Sequence, residues 1–84
     1  MTDGERKRRK IYHTKMRIKE RFGLSVSGAL VRSLSEQREQ PMAYLSGGGV
    51  VHQFDIDGLD ILVVFVEDHP VTAITQDMLR TSWQ

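Results

Sequence analysis

The apolar residues in the first quarter of the chain repeat at helical spacing. Ile11, Ile18 and Phe22 lie seven and four residues apart, and no proline interrupts this stretch. Gly23 follows directly and can adopt the left-handed conformation that often ends a helix. The pattern therefore predicts a first helix from Thr2 to Phe22.

A second, shorter helical pattern comes next. Ser25 or Ser27 can act as its N-cap, and Pro41 is expected to end it. Its core-facing side chains are predicted to be Leu30, Val31 and Leu34.

Beyond Pro41 the pattern changes from helical spacing to short apolar or alternating runs. The predicted strands are Met42–Leu45, Val50–Ile56, Leu59–Val66 and Val71–Thr75. Asp57-Gly58 is a strong signal for a tight turn between the second and third runs. The acidic stretch from Glu67 to Pro70 is expected to turn the chain once more, and the segment after Thr75 is expected to be a polar tail.

These elements predict an α+β fold in which two N-terminal helices pack on a three- or four-stranded antiparallel sheet. The 84 residues are expected to form a single domain, 1–84, because a chain of this length can bury only one modest core. Residues 1–10 have almost no apolar anchor and are expected to be a basic arm that frays.

Charge is distributed very unevenly along the chain. Residues 1–21 contain nine of the 12 Lys and Arg residues against three acidic ones, a formal charge of +6, whereas residues 22–84 carry −5. Such polarity predicts that the first helix meets a polyanion, the backbone of RNA or DNA.

Composition narrows the class of protein further. The chain has no cysteine, and its longest apolar run, Ile61–Val66, is much shorter than the ~20 residues that span a membrane. No signal peptide is recognisable. We expect a cytoplasmic protein with no membrane partner, no metal and no cofactor.

Candidate chemistry is concentrated on the first helix. His13, Arg17 and Arg21 are spaced by four residues and share a face, with Lys10 one turn earlier. Two arginines beside an imidazole suit phosphate chemistry, because arginine binds phosphate oxygens while histidine transfers a proton. The alternative is a solvated helix surface that only keeps the protein soluble or contacts a nucleic-acid backbone, with Lys15 as a further binding residue.

His52 is the second candidate for acid/base chemistry. Strict alternation places it on the same strand face as Val50, Phe54 and Ile56. It is either a histidine at the edge of the core, hydrogen-bonded to backbone, or a catalytic partner that faces the first helix across a cleft.

Two stretches of the chain resemble a known family. They are His13-Thr-Lys-Met-Arg17-Ile-Lys-Glu-Arg21-Phe-Gly23-Leu, and the strand pair Ile61–Val66 with Val71–Thr75. Together they resemble small phage and polymorphic-toxin domains of the RelE, colicin and barnase-like superfamily of metal-independent ribonucleases.

The resemblance implies an RNA groove between helices and sheet, with metal-free cleavage by attack of the ribose 2′-OH on the adjacent phosphate. It makes His13 the acid or base, Arg17 and Arg21 phosphate clamps, and Thr75 a hydroxyl contact. His52 departs from the family, which more often has Arg or Lys there, and it either supplies a second acid/base group or marks loss of activity.

Three functional hypotheses follow. The first is an endoribonuclease with His13 and His52 as the proton-transfer pair. The second is a non-catalytic regulator or inhibitor whose basic helix binds nucleic acid or an acidic protein, with an antitoxin-like or host protein as a candidate partner. The third is a homodimer formed through an edge strand that exposes Val50 and Val51.

Overall fold

The computed structural model describes the backbone of residues 3–82 and the side chains of residues 8–79. Within these residues the elements are α1 (Asp3–Phe22), α2 (Gly28–Ser33), β1 (Ala43–Tyr44), β2 (Val50–Ile56), β3 (Leu59–Val66), β4 (His69–Ile74) and α3 (Gln76–Ser82). The strands form one antiparallel sheet in the order β1-β2-β3-β4. The predicted α+β class with an antiparallel sheet is confirmed, and the sheet has four strands.

Helix α1 follows the predicted pattern closely. It extends to Phe22 and ends at Gly23, whose φ of +70° is the left-handed conformation expected there. The Gly23 N–H donates to the Lys19 carbonyl at 2.9 Å. Thr2, where the sequence pattern placed the start of the helix, lies outside the described residues.

Both faces of the sheet are covered by apolar side chains. The helix-side core contains Ile18, Val26, Val31, Leu34, Phe54, Ile61, Val63, Phe65 and Ala73. The far-side core contains Ala43, Val51, Leu62, Val64, Ile74 and Leu79. The run of buried residues in β3 supplies both cores alternately, which explains why its sequence is continuously apolar.

Helix α2 is shorter than predicted. Ser27 is its N-cap, and its Oγ accepts a hydrogen bond from the Leu30 N–H at 3.0 Å, but the helix ends at Ser33 instead of continuing to Pro41. The Ser33 and Ser35 hydroxyls donate to nearby carbonyl groups, at 2.7 and 3.0 Å. Such local side-chain bonds compete with helix continuation, and the chain proceeds in tight turns.

The β2–β3 hairpin closes at Asp57-Gly58, as predicted, with φ of 52° and 79°. The next turn is tighter than expected. It consists of Glu67 and Asp68 alone, with φ of 51° and 71°, so β4 begins at His69 instead of Val71. Pro70 is accommodated next to an irregularity in the β3–β4 pairing, where a missing N–H is tolerated.

The predicted polar tail is partly helical. Helix α3 begins after Thr75, whose hydroxyl accepts a hydrogen bond from the Met78 N–H at 3.3 Å. Leu79 is buried against the far face of the sheet and gives the helix its apolar anchor. A single leucine among polar residues is too weak a periodic signal to indicate such a helix.

The predicted edge strand at Val50 and Val51 is wrong. Both residues pair with β1 on one side and with β3 on the other, and Val51 is fully buried. The expected exposure depended on β2 being the outermost strand, but the two-residue strand β1 covers this part of it.

No helix within residues 3–82 combines the length and the apolar composition needed to cross a bilayer.

Candidate nucleic-acid interface

The outward side of α1 exposes side chains from successive turns around a shallow hollow of about 500 Å³. We call this surface the basic face, and it consists of Arg8, Arg9, Tyr12, His13 and Met16. All five side chains are exposed, and the Tyr12 ring is 62% exposed. The hollow therefore combines two guanidinium groups, an imidazole and an accessible aromatic ring.

Helix geometry explains why these residues point outward. Thr14 and Ile18 are fully buried, so the inward face is fixed by them and by the half-buried Ile11. At about 100° per residue, Tyr12 and Met16 fall on the opposite side of the helix. The core thus holds α1 in the orientation that presents the basic face to solvent.

The two arginines of the basic face are not neutralised by the described part of the protein. Neither Arg8 nor Arg9 forms an ion pair with an acidic side chain among those the structure describes. Among the described side chains, no carboxylate competes with an external anion for these two charges.

Arg17 occupies a different electrostatic setting from these two arginines. Its Nη1 lies 2.7 Å from Glu20 Oε2 in an ion pair on the helix surface. Its Nε also donates to Nε2 of His13 at 3.4 Å. His13 and Arg17 therefore lie next to each other on α1, and Glu20 offsets part of the Arg17 charge.

Arg21 ties the helix to the sheet. Its guanidinium donates a hydrogen bond to the carbonyl oxygen of Ala73 in β4. The side chain is half-buried at this contact. Its guanidinium is therefore engaged in tertiary structure as well as being a candidate phosphate clamp.

The two predicted lysines are half-buried. Lys10 lies at the flank of α1, and its carbonyl accepts the Thr14 hydroxyl at 2.8 Å. Lys15 follows His13 by two residues, which places it about 200° around the helix, away from the basic face.

His52 is on the helix-side face of the sheet, as alternation predicted, and is only 5% exposed. Its ring meets the Phe65 ring edge-to-face with centroids 5.3 Å apart. Nδ1 is buried and has no hydrogen-bond partner, so the backbone bond expected for a core histidine is absent at this atom. Burial lowers the pKa of the His52 imidazole below 6.5, and the charge of Arg38 lowers it further.

The imidazole lines a cleft of about 510 Å³ whose other charged groups come from loops. Arg38 lies over the Phe65 ring, with 5.2 Å between the guanidinium carbon and the ring centroid. Its Nη2 forms an ion pair with Asp68 Oδ1 at 2.8 Å. The remaining carboxylates of the cleft are those of Glu39 and Glu67.

Thr75 lies between β4 and α3, where its hydroxyl caps the helix. The three predicted catalytic residues therefore occupy different places. His13 lines the hollow on α1, His52 lines the cleft beside Arg38, and Thr75 starts the C-terminal helix. Their joint action in catalysis stays a prediction.

The sequence pattern did not indicate a functional role for Arg8, Arg9, Tyr12 or Arg38. The sequence did contain a signal for Tyr12. This residue follows Arg8 by four positions and Arg9 by three, and it lies off the Ile11–Ile18 face, which is typical of the exposed side of a helix. Arg38 has no such signal, since a loop brings it next to β2 and β3.

An acidic groove of about 710 Å³ lies elsewhere on the molecule, beside β2. Its carboxylates belong to Glu39, Asp55, Asp57 and Asp60, and all four residues are exposed. The charge asymmetry of the sequence is therefore also present in space, with a basic helix side and an acidic groove.

In comparisons with protein-family models, with curated proteins and with solved structures, nothing matches this chain. Among the described residues, no group of three or more His, Asp or Glu side chains is arranged to hold a metal ion.

Proposed function

We propose that this protein is an RNA-binding domain that contacts single-stranded RNA through the basic face of α1. The observation that carries the proposal is the exposed Tyr12 ring between Arg8, Arg9 and His13, with no acidic partner on either arginine among the described side chains. Cations that no described carboxylate pairs with, around an accessible ring, favour a ligand that has both phosphates and flat bases.

The electrostatic part of the interaction is sequence-independent. Arginine and lysine side chains that neutralise phosphates release condensed counterions, and this release supplies much of the affinity. The −5 charge of residues 22–84 repels a polyanion from the rest of the molecule. RNA is thereby directed to α1.

Tyr12 supports single-stranded RNA over a duplex. Bases that are not paired can stack on an exposed aromatic ring, whereas bases inside a duplex cannot reach it. Arg8 and Arg9 can hold the flanking phosphates, since a guanidinium group can donate two parallel hydrogen bonds to the oxygens of one phosphate.

Cleavage receives less support than binding. The predicted proton-transfer pair, His13 and His52, lines two different hollows, and Nε2 of His13 accepts a hydrogen bond from Arg17. The second of the sequence-based hypotheses, a non-catalytic binder, is therefore the one we put forward.

Binding of a fluorescein-labelled single-stranded RNA of about 12 nucleotides, followed by anisotropy, tests the proposal. Tyr12→Ala is expected to weaken binding by about tenfold, because one stacked base contributes about 1–3 kcal/mol. Since Tyr12 is exposed, the thermal unfolding midpoint of the Tyr12→Ala protein should equal that of the wild-type protein.

Arg9→Gln and Arg32→Gln form a matched pair for the charge. Both residues are exposed, but Arg32 lies on α2. Arg32 shares a second hollow with Arg8 but lies outside the basic face, so Arg9→Gln should weaken binding more than Arg32→Gln. Equal effects of the two substitutions, or tighter binding to an acidic peptide than to RNA, would contradict the proposal. Cleavage of the RNA in EDTA that disappears in His13→Ala would replace it with the enzymatic hypothesis.

A further inference from the structure

The outer edge of β2 is covered for only part of its length. Strand β1 pairs with Val50 and Val51 and goes no further. If the register continued, the next pairs would place Pro41 opposite Gln53. Proline has no N–H to donate, so the covering strand stops there and the edge beyond it is bare.

The bare edge presents backbone hydrogen-bonding groups outward. The Met42 N–H donates to the Val51 carbonyl at 2.7 Å, which shows that Val51 turns its backbone groups toward β1. By strand alternation Gln53 and Asp55 turn their N–H and C=O groups the same way. Among the described residues no backbone group is hydrogen-bonded to them from that side.

A groove runs along this edge, between β2 and the segment 37–42. Leu34, Phe54 and Met42 line part of it, and Met42 is 44% exposed. The uncovered part of β2, from Gln53 to Ile56, spans about 13 Å at the usual strand rise and can pair with about four residues of an extended segment.

Charge on the groove selects the occupant. Asp55 lies directly opposite Asp60 in the β2–β3 register, and Asp57 follows in the turn. Like charges opposite each other destabilise a sheet. None of these carboxylates forms an ion pair with a described side chain, so a cation placed between them would relieve the repulsion.

We propose that the β2 edge from Gln53 to Ile56 docks an extended, lysine- or arginine-bearing segment of a partner protein as an additional strand. Backbone hydrogen bonds to Gln53 and Asp55 give the affinity, and alternate basic side chains that meet Asp55, Asp57 and Asp60 give the specificity. A second copy of this chain does not fit, because two such edges would bring the same carboxylates together.

The probe is an alternating Lys-Val heptapeptide with blocked ends, titrated into the 84-residue protein and followed by amide NMR. We expect shifts and slower hydrogen exchange at the Gln53 and Asp55 amides. The same peptide with alternate backbone nitrogens methylated keeps its charge but cannot form the strand, and it should bind at least about tenfold more weakly.

Gln53→Pro and Gln53→Thr are the matched variants. Proline removes only an outward N–H at an edge position, whereas threonine keeps it. Gln53→Pro should weaken peptide binding by at least about tenfold and Gln53→Thr should not. Should Gln53→Pro fail to fold, the methylated peptide on the wild-type protein gives the same comparison.

The proposal is overturned by any of three results. They are no peptide binding at millimolar concentration, equal binding of the methylated peptide, and self-association through this edge in sedimentation experiments. RNA binding by the wild-type protein and by Gln53→Pro is measured in parallel, so loss of the docking site and loss of the basic-face function are separate outcomes.

Discussion

The histidine at position 52 shows what single residues contribute to this fold. Its ring fills a core position between aromatic neighbours, but Nδ1 has no partner and Arg38 lies close by. Both conditions disfavour the charged imidazole. Alternation along β2 predicted its strand face, while the loop that brings Arg38 there could not be predicted from spacing.

The lowered pKa of His52 makes stability depend on pH. Unfolded, the imidazole titrates near 6.5, and folded it titrates lower, so below 6.5 the unfolded state binds more protons. The free energy of unfolding should be highest above pH 6.5 and fall as the pH decreases through it. Urea denaturation between about pH 7.5 and about pH 5, followed by circular dichroism, measures this.

His52→Phe should flatten that pH dependence, because it keeps an aromatic ring and removes the titrating group. His13→Gln, an exposed change on α1, should leave the dependence as it is. A slope in His52→Phe that is as steep as in the wild-type protein would show that another group is responsible.

Arg17 and Arg21, which were predicted to share a face of the first helix, differ in what they contact. Arg21 donates to a carbonyl of the buried Ala73, whereas Arg17 pairs with the exposed Glu20. Arg21→Met should lower the free energy of unfolding by about 1–3 kcal/mol, since it leaves that carbonyl unpaired. Arg17→Met should cost less than about 1 kcal/mol. Equal costs in chemical denaturation would contradict this assignment.

Among the helices and strands, apolar periodicity predicted those elements that tertiary contacts also stabilise. The Ile11–Ile18 spacing gave α1, and alternation gave β2 and its hairpin with β3. It failed where local chemistry decides. Serine hydroxyls end α2 at Ser33, and α3 depends on one buried leucine.

The turn at Glu67-Asp68 offers a prediction at this scale. Both residues have positive φ, a conformation that costs most side chains about 1–2 kcal/mol and that asparagine tolerates better. Glu67→Asn should therefore raise the free energy of unfolding by about 0.5–1 kcal/mol. Thermal and urea denaturation of the variant check the sign.

Gly58→Ala is the control for the turn prediction. It introduces a side chain at φ +79° in the other hairpin and should lower stability by about 1 kcal/mol. A Glu67→Asn protein less stable than the wild type would show that the glutamate side chain makes a contribution larger than the backbone strain.

In three dimensions, the basic and the acidic parts of the sequence form two separate surfaces. The basic face lies on α1, and the acidic groove lies beside β2. Charge counting predicted that the basic surface would lie on the first helix. It did not predict which side chains face outward, because that is decided by the packing of Thr14 and Ile18 against the sheet.

The salt dependence of RNA affinity is the most direct test of the basic face. If Arg8, Arg9 and one further cation neutralise phosphates of single-stranded RNA, the slope of log affinity against log salt should be about −2. Arg9→Gln should make the slope shallower by about 0.7, while Arg32→Gln, which lies outside the basic face, should change it less. An RNA affinity that is insensitive to salt, or a slope that the two substitutions change equally, would contradict the account.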